Sequence, residues 1–276
     1  MNIAPTTLIN GEFQEQLSIR DRGFQYGDGL FETLAVTKGK PILWDRHMRR
    51  LQHGAERLGF TPPPEPLLRH EAEQLCINRE RAVLKIIITR GASDRGYGPV
   101  ASASPTRVLS LSPWLDYPAT YPQLGVMVCF CRMMLSRNRF LAGIKHLNRL
   151  EQVLARAEWQ DDYQEGLMQD ADGHVVEGTM SNVFAVSQGT LLTPDVSQCG
   201  VEGIMRAVVL ECAVTASIPC RITDISRKDI FGADEIFLTN SLIGLWPVRK
   251  LERQEFTVGR ITRQLQQALY HAQECN

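Results

Sequence analysis

Lysine is scarce in this chain, with six copies, Lys38, Lys40, Lys85, Lys145, Lys228 and Lys250, against twenty-four arginines. Each amine can therefore be weighed by its neighbours. Lys38 and Lys40 bracket a turn glycine, while Lys228 and Lys250 keep ordinary surface company with Arg227, Asp229, Arg249 and Glu252. Two differ. Lys85 interrupts Val83-Leu84-Lys85-Ile86-Ile87-Ile88, and Lys145 follows Leu141-Ala142-Gly143-Ile144. An amine among apolar groups loses solvation unless it is paired or its pKa falls, and lysines of lowered pKa are the ones that add to carbonyl groups. The bland alternative for both is a stem lying along the sheet with its ammonium lifted to water. Residues 200–203 lead into a helix whose first amides, at Ile204 and Met205, have no intrahelical partner and suit an anion, although the same pattern occurs in helices that bind nothing. Seven scattered cysteines without a CxxC pair read as reduced thiols, and six histidines show no paired spacing, so no metal site is expected.

These side chains need elements to hold them. Leu8-Ile9-Asn10-Gly11-Glu12-Phe13 is a hairpin signal, and a second hairpin turns at Lys38-Gly39-Lys40 between residues 30–36 and 41–44. Asp45 is expected to cap a helix along which Met48, Leu51, Ala55 and Leu58 recur at helical spacing, ended by Gly59 and the Pro62-Pro63-Pro64 run. Residues 83–89 are rich in branched side chains and predict a buried strand, followed by a polar loop over 91–98 and another strand at 108–111. Three prolines and several aromatics between 113 and 122, without periodicity, read as a linker. Beyond it we expect a strand at 125–131, a helix over 150–159, a hairpin around Asp172-Gly173, a helix over 203–215, strands near 221 and 236–239, and a closing amphipathic helix from 258. Strands and helices interleave in both halves, so the class is α/β (α+β) with two domains: residues 1–112, a linker at 113–122, and residues 123–276 carrying Lys145.

Composition narrows the function classes. Of 276 residues, thirty are basic and thirty-one acidic, giving net charge -1, which argues against nucleic acid as a partner. No apolar stretch approaches the ~20 residues that span a bilayer, so no membrane span is expected. The start Met1-Asn2-Ile3-Ala4-Pro5 lacks the basic and apolar regions of a secretory leader, and we expect a cytoplasmic protein.

The strings Tyr26-Gly27-Asp28-Gly29-Leu30-Phe31-Glu32-Thr33, His47-Met48-Arg49-Arg50-Leu51, Ile144-Lys145-His146-Leu147-Asn148-Arg149-Leu150-Glu151-Gln152, Glu177-Gly178, Ser181-Asn182-Val183-Phe184, Gly203-Ile204-Met205-Arg206 and Thr239-Asn240-Ser241 occur in this order. Together they resemble the fold-type IV pyridoxal-phosphate enzymes, whose members include aminodeoxychorismate lyases and the branched-chain and D-amino-acid aminotransferases. The resemblance spans roughly residues 8–248.

It implies a D-amino-acid-aminotransferase-like fold, pyridoxal 5'-phosphate in an interdomain cleft, and a homodimer acting on a small-molecule substrate. It further implies that Lys145 is the cofactor lysine and that Glu177 faces the pyridine nitrogen. Arg50, the amides of Ile204 and Met205, and Ser241 would serve the phosphate, and Tyr26 would lie near the substrate. Met205 stands where aminotransferase relatives often carry threonine. Thr33, Leu150 five residues after the lysine, and the string Lys145-His146-Leu147-Asn148-Arg149-Leu150 resemble the lyase branch, which converts 4-amino-4-deoxychorismate to 4-aminobenzoate and pyruvate. An aminotransferase of the same fold is the alternative, and a non-catalytic metabolite-binding scaffold a third. A dicarboxylate substrate needs cationic contacts, for which Lys85 and Arg95 are candidates.

Overall fold

The computed structural model describes residues 6–99 and 104–274, so the opening pentapeptide and Cys275 lie outside the described residues. By packing, the chain forms two compact units: Met1–Leu115 with Ile144–Asn148, and Asp116–Gly143 with Arg149–Asn276. Lys145, placed by the sequence in the second half, thus belongs by its contacts to the first unit.

The first unit comprises β1 (Thr7–Ile9), β2 (Glu12–Phe13), α1 (Arg22–Tyr26), β3 (Gly29–Thr37), β4 (Lys40–Pro41), α2 (Trp44–Leu58), α3 (Glu65–Cys76), β5 (Arg81–Thr89) and β6 (Thr106–Pro113). Its strands make one antiparallel sheet in the order β2-β1-β6-β5-β3-β4. The Asn-Gly hairpin forms as expected: Leu8 faces Phe13 and Ile9 faces Glu12, with Asn10 at φ 53° and Gly11 at φ 88°, left-handed values that Asn and Gly tolerate best. The long pairing of β3 with β5 runs from Gly29 opposite Thr89 to Thr37 opposite Arg81. Leu30, Leu34, Leu84, Ile86, Ile88 and Leu109 are buried in this sheet, and α2 contributes Met48, Leu51 and Ala55 to the core as its periodicity predicts.

The start of α2 differs from expectation. It begins after Leu43, which takes a left-handed φ of 56°, and Asp45 sits in the first turn, where its charge meets the positive end of the helix. Helix α3 was not expected; the proline run that ends α2 also opens it, with Pro64 as its N-cap.

The second unit comprises α4 (Tyr121–Leu124), β7 (Val126–Leu135), α5 (Leu150–Arg156), β8 (Glu165–Asp170), β9 (Val175–Gly178), β10 (Asn182–Ser187), β11 (Thr190–Pro194), α6 (Ile204–Thr215), β12 (Cys220–Thr223), α7 (Arg227–Phe231), β13 (Glu235–Asn240), β14 (Gly244–Leu251), β15 (Gln254–Glu255) and α8 (Arg260–Glu274). Eight strands follow the order β12-β11-β10-β13-β14-β7-β8-β9, and β15 folds back on β14. The sheet is mixed: β7 pairs in parallel with β14 and β8, and β11 with β12, while the other pairs are antiparallel. Its core gathers Val126, Val128, Leu167, Val183, Leu238 and Trp246. The stretch read as a linker is anchored rather than slack, since Tyr117 and Tyr121 meet the Trp246 ring edge-on at 4.7 and 5.1 Å. Among the described residues, no helix is long and apolar enough to cross a membrane.

Candidate active site

In the first unit, Lys145 lies on the short segment Ile144–Asn148, which is laid against β3. The Phe31 N–H donates to the Lys145 carbonyl at 3.0 Å, the Leu147 N–H donates to the Gly29 carbonyl at 3.0 Å, and Leu30 and His146 bridge as an antiparallel pair. Backbone bonds at the lysine's own carbonyl and over the two residues that follow therefore fix where its side chain starts. Half-buried, its Nζ sits 4.4 Å from the centroid of the Phe31 ring. Lys85 approaches the same ring at 5.3 Å from the neighbouring strand.

Residues two apart on a strand share a face, so Phe31 and Thr33 point the same way, and Thr33 faces Lys85 across the β3/β5 ladder. Two amines, an aromatic face and a hydroxyl are thus assembled on one side of the sheet. Lys85 is exposed while its strand neighbours Leu84 and Ile86 are fully buried, which is the snorkelling geometry anticipated as the bland alternative.

The opposite face of β3 carries Glu32, buried between Leu30 and Leu34 at 1% exposure. Arg50 grips it with both ends of its fork, Nε to Oε1 at 2.8 Å and Nη2 to Oε2 at 2.5 Å. His47 Nδ1 lies 2.6 Å from Oε2; an ionised carboxylate can only accept, so that nitrogen carries the hydrogen. Burial alone would raise the Glu32 carboxyl. The Arg50 charge and the bonds from His47 and Arg50 override it and hold the group at about 2. His47 moves down from its usual value through burial, helped by the Arg50 and Lys145 charges and opposed by Glu32, so it is neutral near pH 7. Arg50 is therefore not the solvated member of a cationic helix face. Neither Glu32 nor His47 was singled out from the sequence, although both stand inside the quoted strings; a charged residue between two core leucines was the available signal.

Tyr26 ends α1 with its ring 5.4 Å from Tyr97 and under the Arg22 guanidinium at 5.1 Å. Arg22, also unremarked in the sequence, is 4% exposed, binds Asp28 at 2.8 Å, and donates to the carbonyls of Gly96 and Tyr97 at 3.0 and 2.9 Å. It straps down the loop that bears Arg95, which is itself exposed.

In the second unit, Glu177 is 4% exposed near the end of β9, which disposes of a solvated surface glutamate. The Val201 N–H donates to its Oε2 at 2.8 Å. From there the chain reaches Gly203, the N-cap of α6, which leaves the Ile204 and Met205 amides in the first turn of a twelve-residue helix. A side chain at Gly203 would put its Cβ 1.9 Å from Asn182 Oδ1, and Asn182 Nδ2 donates to the Val201 carbonyl at 2.9 Å. Asn182 pairs in register with Thr239, two residues before Ser241, and Asn240 Nδ2 donates to the Met180 carbonyl at 3.0 Å. Glu177, the 201–205 turn and the end of β13 are thus tied into one cluster. Leu150, at the start of α5, is 75% exposed.

Comparison with known proteins decides the family. The description "Amino-transferase class IV" matches residues 29–251. The chain belongs to this family. An aminodeoxychorismate lyase from Vibrio harveyi is 34% identical over 263 residues, covering 94% of this chain and 97% of the relative. The crystal structure of 4-amino-4-deoxychorismate lyase from Pseudomonas aeruginosa superposes with a TM-score of 0.92 at 49% identity, covering 96% of this chain and 98% of that one. The branched-chain amino acid aminotransferase of Escherichia coli shares the fold, with a TM-score of 0.86 at 24% identity over 98% and 95% of the two chains. The class IV aminotransferase fold, with two α/β units, is thereby that expected from the sequence.

Proposed function

We propose that this chain is a pyridoxal 5'-phosphate-dependent lyase that converts 4-amino-4-deoxychorismate to 4-aminobenzoate and pyruvate. The observation that carries the proposal is the 49% identity to a lyase of that name along almost the whole of both chains, combined with a lysine, Lys145, whose backbone is bonded to β3 and whose amine lies over the Phe31 ring. The residues suit the cofactor. Lys145 supplies an amine for its aldehyde, buried Glu177 an acceptor for a protonated ring nitrogen, and the amides of Ile204 and Met205, Arg50 and Ser241 supply donors for a phosphate.

When bound, the cofactor supplies an electron sink conjugated with the substrate nitrogen. Lys145 Nζ, once free, is the base that takes the proton from the carbon bearing that nitrogen. Thr33 Oγ1, on the same strand face as Phe31, hands a proton to the departing enolpyruvyl group. Loss of the ring proton and cleavage of the carbon–oxygen bond leave an aromatic ring, and the released enol becomes pyruvate. Neither oxidant nor water is consumed. Lys85 and Arg95 provide cationic contacts for the substrate carboxylates, and Tyr26 lines the same approach.

The active form is a homodimer, supported by an apolar stripe on α5 that its own unit leaves uncovered: Leu150, Val153 and Leu154 are 75%, 60% and 55% exposed. No disulfide joins the six described cysteines, which supports a cytoplasmic location.

The test is pyruvate release from 4-amino-4-deoxychorismate by the purified chain with added pyridoxal phosphate, beside keto-acid formation from D-alanine and leucine. Dominant transamination would replace the lyase by an aminotransferase. Borohydride treatment should attach the cofactor to the peptide containing Lys145, and attachment elsewhere would remove that assignment.

A further inference from the structure

We propose that Glu32 is a positioning residue for cofactor-phosphate recognition: it acts through Arg50, whose guanidinium it clamps in one orientation from inside the core. The inference rests on the reading above that Arg50 serves the phosphate.

Arginine is flexible, and a single anchoring bond would leave its fork free to swing. Here both Nε and Nη2 are engaged by the two oxygens of one carboxylate, at 2.8 and 2.5 Å, which fixes the guanidinium plane as well as its position. The clamp is itself immobile. Glu32 is buried at 1% exposure on β3 between two core leucines, and its Oε2 is shared with His47 at 2.6 Å.

Helix α2 sets the spacing. His47 and Arg50 are three residues apart and so project from the same side of the helix, toward β3. Gly54, one turn beyond Arg50, is where the helix comes close, since a Cβ there would lie 2.9 Å from Leu30 Cδ1. Leu30 and Glu32 share one face of β3, so the close approach seats the two α2 side chains on the carboxylate.

A charge-only view predicts the opposite effect on binding. If Glu32 merely diluted the positive charge of Arg50, neutralising it would strengthen attraction for a phosphate. If it orients Arg50, neutralising it would weaken binding, because a guanidinium without its clamp turns to other acceptors. The two views differ in sign, and that makes them separable.

The experiment is equilibrium binding to the apoprotein of two probes, pyridoxal 5'-phosphate and pyridoxal, which differ only in the phosphate. For Glu32→Gln the phosphorylated probe should bind on the order of tenfold more weakly, as expected when a partner that orients a ligating group is lost, while pyridoxal affinity stays within about twofold. Arg50→Ala should show the same selective loss, and the E32Q/R50A double variant should bind no more weakly than R50A alone, because the two residues act as one unit.

Equal weakening of both probes would make Glu32 merely structural, and tighter binding of the phosphorylated probe would establish the charge-only view; either overturns the inference. Additive losses in the double variant would also overturn it. Should E32Q fail to fold, Glu32→Asp, which keeps the charge but shortens the reach by one methylene, is read by the same ratio. If the unaltered protein binds both probes equally, or R50A shows no selective loss, the failure lies in the phosphate role of Arg50 rather than in Glu32.

Discussion

Lys85 and Glu32 sit on adjacent strands and illustrate two ways in which a charge enters a sheet. Lys85 stays exposed and extends its amine past the Phe31 ring, so its charge is available to a ligand at little desolvation cost. Replacing it with alanine should raise KM for 4-amino-4-deoxychorismate roughly tenfold, in line with the loss of one charge-assisted hydrogen bond. Arg95→Ala should do the same. Steady-state kinetics decide the matter, and an unchanged KM for both variants would remove them from the substrate site.

Glu32, by contrast, is fully withdrawn from water and stays ionised only through its partners. Its carboxyl titrates at about 2 in the fold against 4.5 as the reference. The stabilisation it brings is thus complete above about pH 4.5 and is lost as pH falls toward 2, amounting to about 3 kcal/mol at most. His47, whose pKa is lowered from 6.5, adds a loss of the same sign below that pH because the fold holds it neutral. Urea unfolding at a series of pH values from 7 to 3 should therefore show falling stability, with a shallower fall below pH 4.5 in E32Q than in the unaltered protein. Parallel curves would show that another group governs the acid limb.

At the level of elements, α2 packs against β3 at Gly54 with no room for a side chain there. Alanine there gains about 1 kcal/mol in helix propensity, yet its Cβ would stand 2.9 and 3.0 Å from the two methyls of Leu30, which is 2% exposed and cannot retreat. Overpacking of this kind typically costs about 1–3 kcal/mol, so Gly54→Ala should lower the melting temperature and weaken the binding of pyridoxal phosphate more than that of pyridoxal. A thermal melt no lower than that of the unaltered protein would show that the helix rides over the sheet with room to spare.

The same pair of elements shows what could be read from sequence. The 3.6-residue periodicity of Met48, Leu51 and Ala55 announced α2, and the branched run at 83–89 announced β5, because local pattern and burial agree there. Arg50 and Glu177 could be assigned only by resemblance, since their local surroundings favoured solvated side chains, whereas Lys145 already stood apart by the apolar residues before it; the groups that hold Arg50 and Glu177 lie eighteen and twenty-four residues away in the chain. Strand β10 was missed for a related reason. Five of its six residues are buried, on both faces, so it shows no alternation to detect. Helix α3 was hidden by the proline run, which reads as a terminator of the preceding helix yet also pre-sets the first turn of the next.

For the molecule as a whole, the second unit leaves an apolar surface that its own core does not use. On α5 only Ala155 is buried, while Leu150, Val153 and Leu154 recur at the i, i+3, i+4 spacing that makes one stripe, and Met134 and Phe140 are exposed in the same unit at 51% and 86%. A helix normally turns such a stripe inward, and an uncovered one marks an association surface. Because the proposed partner is a second copy of the chain, the contact must be self-complementary about a two-fold axis, and one substitution alters both sides of it at once. Leu154→Glu should therefore place two like charges in the interface and shift the species seen by analytical ultracentrifugation from twice the mass of the chain to the mass of one. An exposed side chain contributes little to the fold of its own unit, so the far-ultraviolet circular dichroism of the variant should match that of the unaltered protein. A variant that sediments as a dimer would move the interface off α5, and an unaltered protein that sediments as a single chain would end the dimer proposal itself.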